Sequence, residues 1–98
     1  MTDVDSVRDA LRRVCDPEVG INIVDLGLVY EISVEGDTVV VIMTFTTEGC
    51  PAANVLLVEV EDAIANLPGS PLPDVRVTFD PPWSPDMISA DGKNLLGT

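Results

Sequence analysis

Cys50 stands at the junction of two patterns, in the run Thr44-Phe45-Thr46-Thr47-Glu48-Gly49-Cys50-Pro51. Upstream, Val39 to Met43 is β-branched and apolar, as a buried strand should be. Downstream, Pro51 reads as the first residue of a helix, where a missing N–H costs nothing. Cys50 is then the expected N-cap, facing unpaired backbone N–H groups and the positive end of a helix dipole. Both favour the thiolate, the form that binds metals and attacks electrophiles. The competing reading is a small buried hydrophobe, since free cysteines are often buried. Thr46 and Thr47 offer hydroxyls beside the thiol, and Gly49 permits an unusual backbone. Thr44 and Thr46 are equally at home as ordinary strand residues.

Asp16, Glu18 and Asp25 place three carboxylates within ten residues. They offer oxygen ligands, or hydrogen-bond acceptors next to the thiol. As turn chemistry, Asp16-Pro17 stops a helix and Asp25 caps locally before Gly27, and composition alone favours that reading. Cys15 closes an amphipathic stretch and reads as a packed side chain. Trp83, in Pro-Pro-Trp-Ser-Pro, is either a core lid over the end of a sheet or a partially exposed anchor for a partner.

The totals narrow the chemistry. The 98 residues suffice for one small domain with a single core, spanning 1–98. A hydrophobic content of 46% against 22% charged argues for a folded chain. A net charge of −12 makes nucleic acid and anionic membrane surfaces unfavourable partners. No apolar run approaches the ~20 residues that span a bilayer. The acidic start Met1-Thr2-Asp3-Val4-Asp5 has no apolar signal core, so the expected location is the cytoplasm, with reduced thiols. With two cysteines and no histidine, one chain cannot build a four-ligand Cys/His zinc site. It also lacks the usual base partner of a catalytic cysteine. A Cys15–Cys50 disulfide is open on count alone, but nothing else points to an oxidising compartment.

The elements that must position these groups follow from periodicity. Val4, Val7, Leu11 and Val14 recur at helical spacing, with Thr2 or Asp3 as cap and Asp9–Arg13 as an i,i+4 pair. That helix should end near Cys15, before Pro17. Leu28 to Glu35 alternates as a strand, and Gly36-Asp37 is a two-residue hairpin turn. The turn sets Glu35 opposite Thr38, and then Val34–Val39, Ile32–Val41, Tyr30–Met43 and Leu28–Phe45, all apolar pairs. The opposite face, with Val40 and Ile42, is half polar and leaves room for a partner. A helix is expected from Pro51 to Leu67, a third strand carries Val75, Val77 and Phe79, and Ser84-Pro85-Asp86 starts a short C-terminal helix. The expected architecture is α/β (α+β), in the order α-β-β-α-β plus a short helix. It is a small mixed three-stranded sheet with both main helices on one face, its strand order undetermined.

Four segments together resemble one known family. They are Asp16-Pro17-Glu18; Ile23-Val24-Asp25-Leu26-Gly27-Leu28-Val29-Tyr30; Met43 through Pro51; and Asp80-Pro81-Pro82-Trp83-Ser84-Pro85-Asp86-Met87-Ile88-Ser89. In this order and spacing they resemble the SufT and PaaD-like iron–sulfur assembly factors, which include the eukaryotic cytosolic iron–sulfur targeting subunit. The resemblance implies a non-enzymatic role in maturation of iron–sulfur proteins, by carrying a cluster or by targeting client apo-proteins. It implies Cys50 as the functional thiol and metal ligand, with Asp16, Glu18, Thr46 and Thr47 around it and Asp25 nearby. The PaaD branch adds a cysteine-rich C-terminal segment, and Thr98 ends this sequence without one, so its oxygenase role is the less expected. A cluster normally takes four thiolates. Ligation through Cys50 is therefore expected to be transient, or shared with a second copy in a homodimer, another partner, or a small thiol. The alternatives are a thiol-dependent redox or transfer enzyme, disfavoured by the missing His and Cys-x-x-Cys, and a pure interaction module using Trp83 and the Val40/Ile42 face.

Overall fold

The structure, a computed structural model, describes residues 3–46, 48–49 and 51–95. Its elements run α1 (Val4–Leu11), β1 (Val29–Glu35), β2 (Thr38–Met43), α2 (Ala53–Ala65), β3 (Leu72–Val77), a 3-10 turn (Pro85–Met87) and α3 (Ala90–Leu95). The sheet order is β1-β2-β3, with β1 antiparallel and β3 parallel to the central β2. This is the expected mixed three-stranded sheet.

One face of β2 carries Val39, Val41 and Met43, all fully buried. They share a core with Val7 and Leu11 of α1 and Leu56, Val60 and Ile64 of α2, which puts both helices on that face. Leu56, Val60 and Ile64 follow one another at i+4, so α2 turns a single stripe inward. Each such side chain contributes roughly 1.5–3 kcal/mol by leaving water. On the other face Val40 is only 6% exposed, within the chain itself, and Arg76 and Asp74 pair beside it at 2.9 Å. Val40 is thus covered within the chain, whereas Leu72, on the same face of the sheet, is 64% exposed.

Several boundaries differ from the sequence expectation, each for a local reason. α1 stops at Leu11 with Arg12 as C-cap, so Arg13 lies past the helix and Asp9 pairs instead with Arg12, at 2.7 Å. Asp3 is the cap and accepts from the Ser6 N–H at 2.7 Å. The hairpin register holds from Glu35–Thr38 through Ile32–Val41, then slips at a bulge between Val29 and Glu31. Val29, not Tyr30, therefore faces Met43. The bulge frees Tyr30, whose hydroxyl donates to the Pro81 carbonyl at 2.7 Å. β3 begins at Leu72, upstream of the expected Val75, because Pro73 sits in an edge strand, where a missing N–H is tolerated. Phe79 lies beyond the strand and meets Phe45 ring to ring, with centroids 6.4 Å apart. α2 begins at Ala53 with Ala52 as N-cap, which moves the helix start two residues past the expected cap at Cys50. No helix among the described residues is long and apolar enough to cross a membrane.

Candidate functional site

The loop between α1 and β1 is closed at its base. Ile23 N donates to Val14 O at 2.9 Å, Asp16 N donates to Ile21 O at 3.0 Å, and Cys15 and Asn22 form an antiparallel bridge. At its tip Gly20 N donates to Asp16 O at 2.7 Å, a turn that Gly20 completes at φ +81°. Cys15 is exposed and a free thiol, not the packed side chain expected, and no disulfide holds it.

Asp16 is fully buried inside this loop. Its Oδ1 accepts from the Glu18 N–H at 2.8 Å, the turn role read from Asp-Pro-Glu. Its Oδ2 is buried with no hydrogen-bond partner among the described residues. A buried acceptor without a donor is rare and costs about 1–3 kcal/mol, so the folded chain keeps this oxygen unused at a price in stability. Glu18 is exposed. It stands one residue from Val19, an exposed apolar side chain.

Asp25 is placed differently. Oδ2 accepts from Asn22 Nδ2 at 2.7 Å, and Oδ1 accepts from the Ser89 hydroxyl at 2.9 Å. The Asn22 hydrogen bond holds the Asp25 carboxyl below its ordinary value, against partial burial, with Ser89 adding to the effect. Both oxygens are thus engaged inside the chain. Among the described residues no three of His, Cys, Asp and Glu form a group that could hold a metal ion, so Asp16, Glu18 and Asp25 do not make a carboxylate site together.

The strand-to-helix segment after β2 begins with Thr44, fully buried, its N–H donating to Leu28 O at 2.8 Å. Thr46 is half-buried at a bend, and Gly49 takes φ +75°, the unusual backbone expected there. Thr47 and Cys50 lie outside the described residues. A surface cleft of about 390 Å³ between α1 and α2 is lined by Ala10, Arg13, Val14, Glu59, Asp62 and Leu67, none of them a site residue expected from sequence.

Two groups that sequence reasoning treated loosely prove structural. Trp83 donates from Nε1 to Leu26 O at 2.7 Å and lies half-buried against the core, as the lid reading expects. Ser89, noticed only as part of a motif, is the second partner of Asp25. Asn22 was missed altogether, although an Asx residue three before an Asp is a recognisable loop signal.

Comparison with known protein families matches residues 4–82 to the iron-sulfur cluster assembly protein family. The chain belongs to that family. It is 39% identical over 94 residues to the Fe-S protein maturation auxiliary factor YitW of Bacillus subtilis (strain 168), covering 95% of this chain and 92% of that one. It is 40% identical over 85 residues to the Fe-S protein maturation auxiliary factor SufT of Staphylococcus aureus (strain USA300), covering 86% and 97%. Among solved structures, a domain of unknown function from Bacillus anthracis superposes with a TM-score of 0.89 at 36% identity, covering 95% of this chain and 90% of that one.

Proposed function

We propose that this protein is a non-enzymatic factor in the maturation of iron–sulfur proteins, handling a cluster or its iron as cargo through Cys50 in the cytoplasm. The observation that carries the reading is the family match over residues 4–82. Relatives of nearly the same length bear maturation-factor names. The Oδ2 of Asp16, without a partner among the described residues, supports a site in the Asp16–Glu18 loop, because a buried acceptor held without a donor suits an incoming ligand. Glu18, Thr46 and Thr47 complete the proposed surroundings of the thiol.

The donor set fits a carrier better than a resident prosthetic group. A cluster asks for about four thiolates, whereas the chain has two cysteines and no histidine. The remaining ligands then come from a second copy, an assembly partner or the client, and hand-over is exchange of one thiolate for another with no net redox change. The absence of histidine from the chain also leaves a nucleophilic cysteine without its usual base, which favours a carrier or targeting role over an enzyme. Anaerobic reconstitution with iron and sulfide, read by visible absorbance, tests the reading. Wild type should develop cluster absorbance that Cys50→Ala lacks, and Cys50→Ala should fail to restore client iron–sulfur enzymes in cells. Equal absorbance and full client activity in the variant would sink the thiol role.

A further inference from the structure

We infer that Asp25 is a positioning residue, the centre of a clasp by which the C-terminal segment holds the Asp16 loop in shape. The inference rests on the proposed site in that loop and assigns Asp25 a task other than ligation. Three hydrogen bonds make the clasp. Asn22 Nδ2 donates to Asp25 Oδ2 at 2.7 Å, Asp25 N donates back to Asn22 Oδ1 at 2.9 Å, and Ser89 Oγ donates to Asp25 Oδ1 at 2.9 Å. On one side Asn22 is the bridge partner of Cys15, at the base of the loop that buries Asp16. On the other side Ser89 N donates to Asp25 O at 2.8 Å, and Ser89 Oγ accepts from Gly92 N at 3.0 Å, starting α3. The two segments touch closely enough to demand glycine twice. A Cβ on Gly27 would overlap the Met87 backbone, and one on Gly92 would come within 2.8 Å of Asp25 O. Residues 64 positions apart are therefore locked through one carboxylate. With both Asp25 oxygens occupied, ligation by Asp25 would require the clasp to open; positioning requires it closed.

The geometry suggests its own test, an exchange of the two side chains. Asn22→Asp alone sets two carboxylates against each other. The double variant Asn22→Asp/Asp25→Asn reverses donor and acceptor, and all three hydrogen bonds remain possible. Amide hydrogen exchange followed by NMR reads the loop directly. In Asn22→Asp, protection at the Asp16 and Gly20 amides should fall about tenfold or more while Val41 and Leu56 keep theirs, and the double variant should restore it. Ser89→Ala approaches the clasp from its other side and should give the same local loss should Asn22→Asp fail to fold. Client maturation in cells lacking the wild-type gene should follow the loop, lost in the single variant and recovered in the exchange. Unchanged Asp16 and Gly20 protection in both single variants overturns the clasp. A folded exchange variant with a protected loop but no client maturation also overturns it, since the carboxylate would then be needed at position 25 itself. Asp16→Ala is the separate control: full client activity there refutes the proposed site, while the exchange data still decide the clasp.

Discussion

The indole N–H of Trp83 donates to the carbonyl oxygen of Leu26 at 2.7 Å, and its ring lies against the same core that buries Leu26 completely. The Pro-rich segment after β3 is thus tied back to the loop that leads into β1, next to Tyr30 and its hydrogen bond to Pro81. Trp83→Phe keeps most of the apolar contact but leaves the Leu26 carbonyl without its donor, and should cost about 1–3 kcal/mol. Urea unfolding with an unchanged m-value would show it, and a loss below a few tenths of a kcal/mol would mean that water replaces the indole.

Burial along α2 predicts a sharp contrast between neighbouring turns. Leu56 is fully buried, whereas Val58 is 57% exposed. Leu56→Ala should destabilise by about 2–5 kcal/mol through lost transfer energy and a cavity. Val58→Ala should stay within about 0.5 kcal/mol of wild type. Equal denaturation midpoints for the two variants would contradict the packing of α2 on β2.

Gly20 and Gly27 have nearly the same backbone, with φ +81° and φ +80°, but different surroundings. A Cβ at Gly20 meets open space, so Gly20→Ala should cost only the left-handed backbone, about 1–2 kcal/mol. At Gly27 the same methyl group overlaps Met87, whose segment must move. Gly27→Ala should therefore be the more damaging of the two in thermal unfolding, and should loosen residues 85–92 in hydrogen exchange. The opposite ranking would show that the C-terminal segment is not docked on the loop.

Acid sensitivity follows from carboxyls that bind protons less tightly when folded. Asp25 is held below its ordinary value of 3.8 mainly by the Asn22 hydrogen bond, and Asp3 below the same value by the Ser6 amide. The unfolded chain then binds more protons, so this stabilisation is complete above the unfolded value and is lost as pH falls through the folded ones. Urea midpoints should drop from about pH 5 downward, and Asp25→Asn should flatten that slope. An identical slope in the variant would remove Asp25 from the acid transition.

Much of the architecture was legible because its signals are local. Alternation in residues 28–35, the Gly36-Asp37 turn and the stripe of α2 gave element types, and apolar pairing gave the register as far as Ile32–Val41. What escaped was decided at a distance. The bulge that releases Tyr30 goes with a hydrogen bond to Pro81, 51 residues away, and Pro73 is compatible with β3 only because that strand lies at the edge. Site residues divided along the same line. Asp16 and Glu18 read correctly as a turn, because their bond spans two positions. The burial of Asp16 and the pairing of Asp25 with Ser89 needed the folded chain. The N-cap expectation for Cys50 failed by two residues, since proline marks a helix start only approximately.

Asp16 offers a final separation of function from stability. Removing its carboxyl by Asp16→Ala deletes the 2.8 Å bond from Glu18 N, but also removes the buried oxygen that has no partner among the described residues. The two terms oppose each other, so the net stability change should be small, about 1 kcal/mol or less. Client iron–sulfur maturation should nevertheless fall as it does in Cys50→Ala, whereas Cys15→Ser, altering an exposed free thiol, should leave it intact. Melting temperature and client enzyme activity measured on the same three variants check this. If activity tracks stability across them, Asp16 is a loop-forming residue alone. If Asp16→Ala melts near wild type yet fails to mature clients, the unused oxygen is held for a ligand.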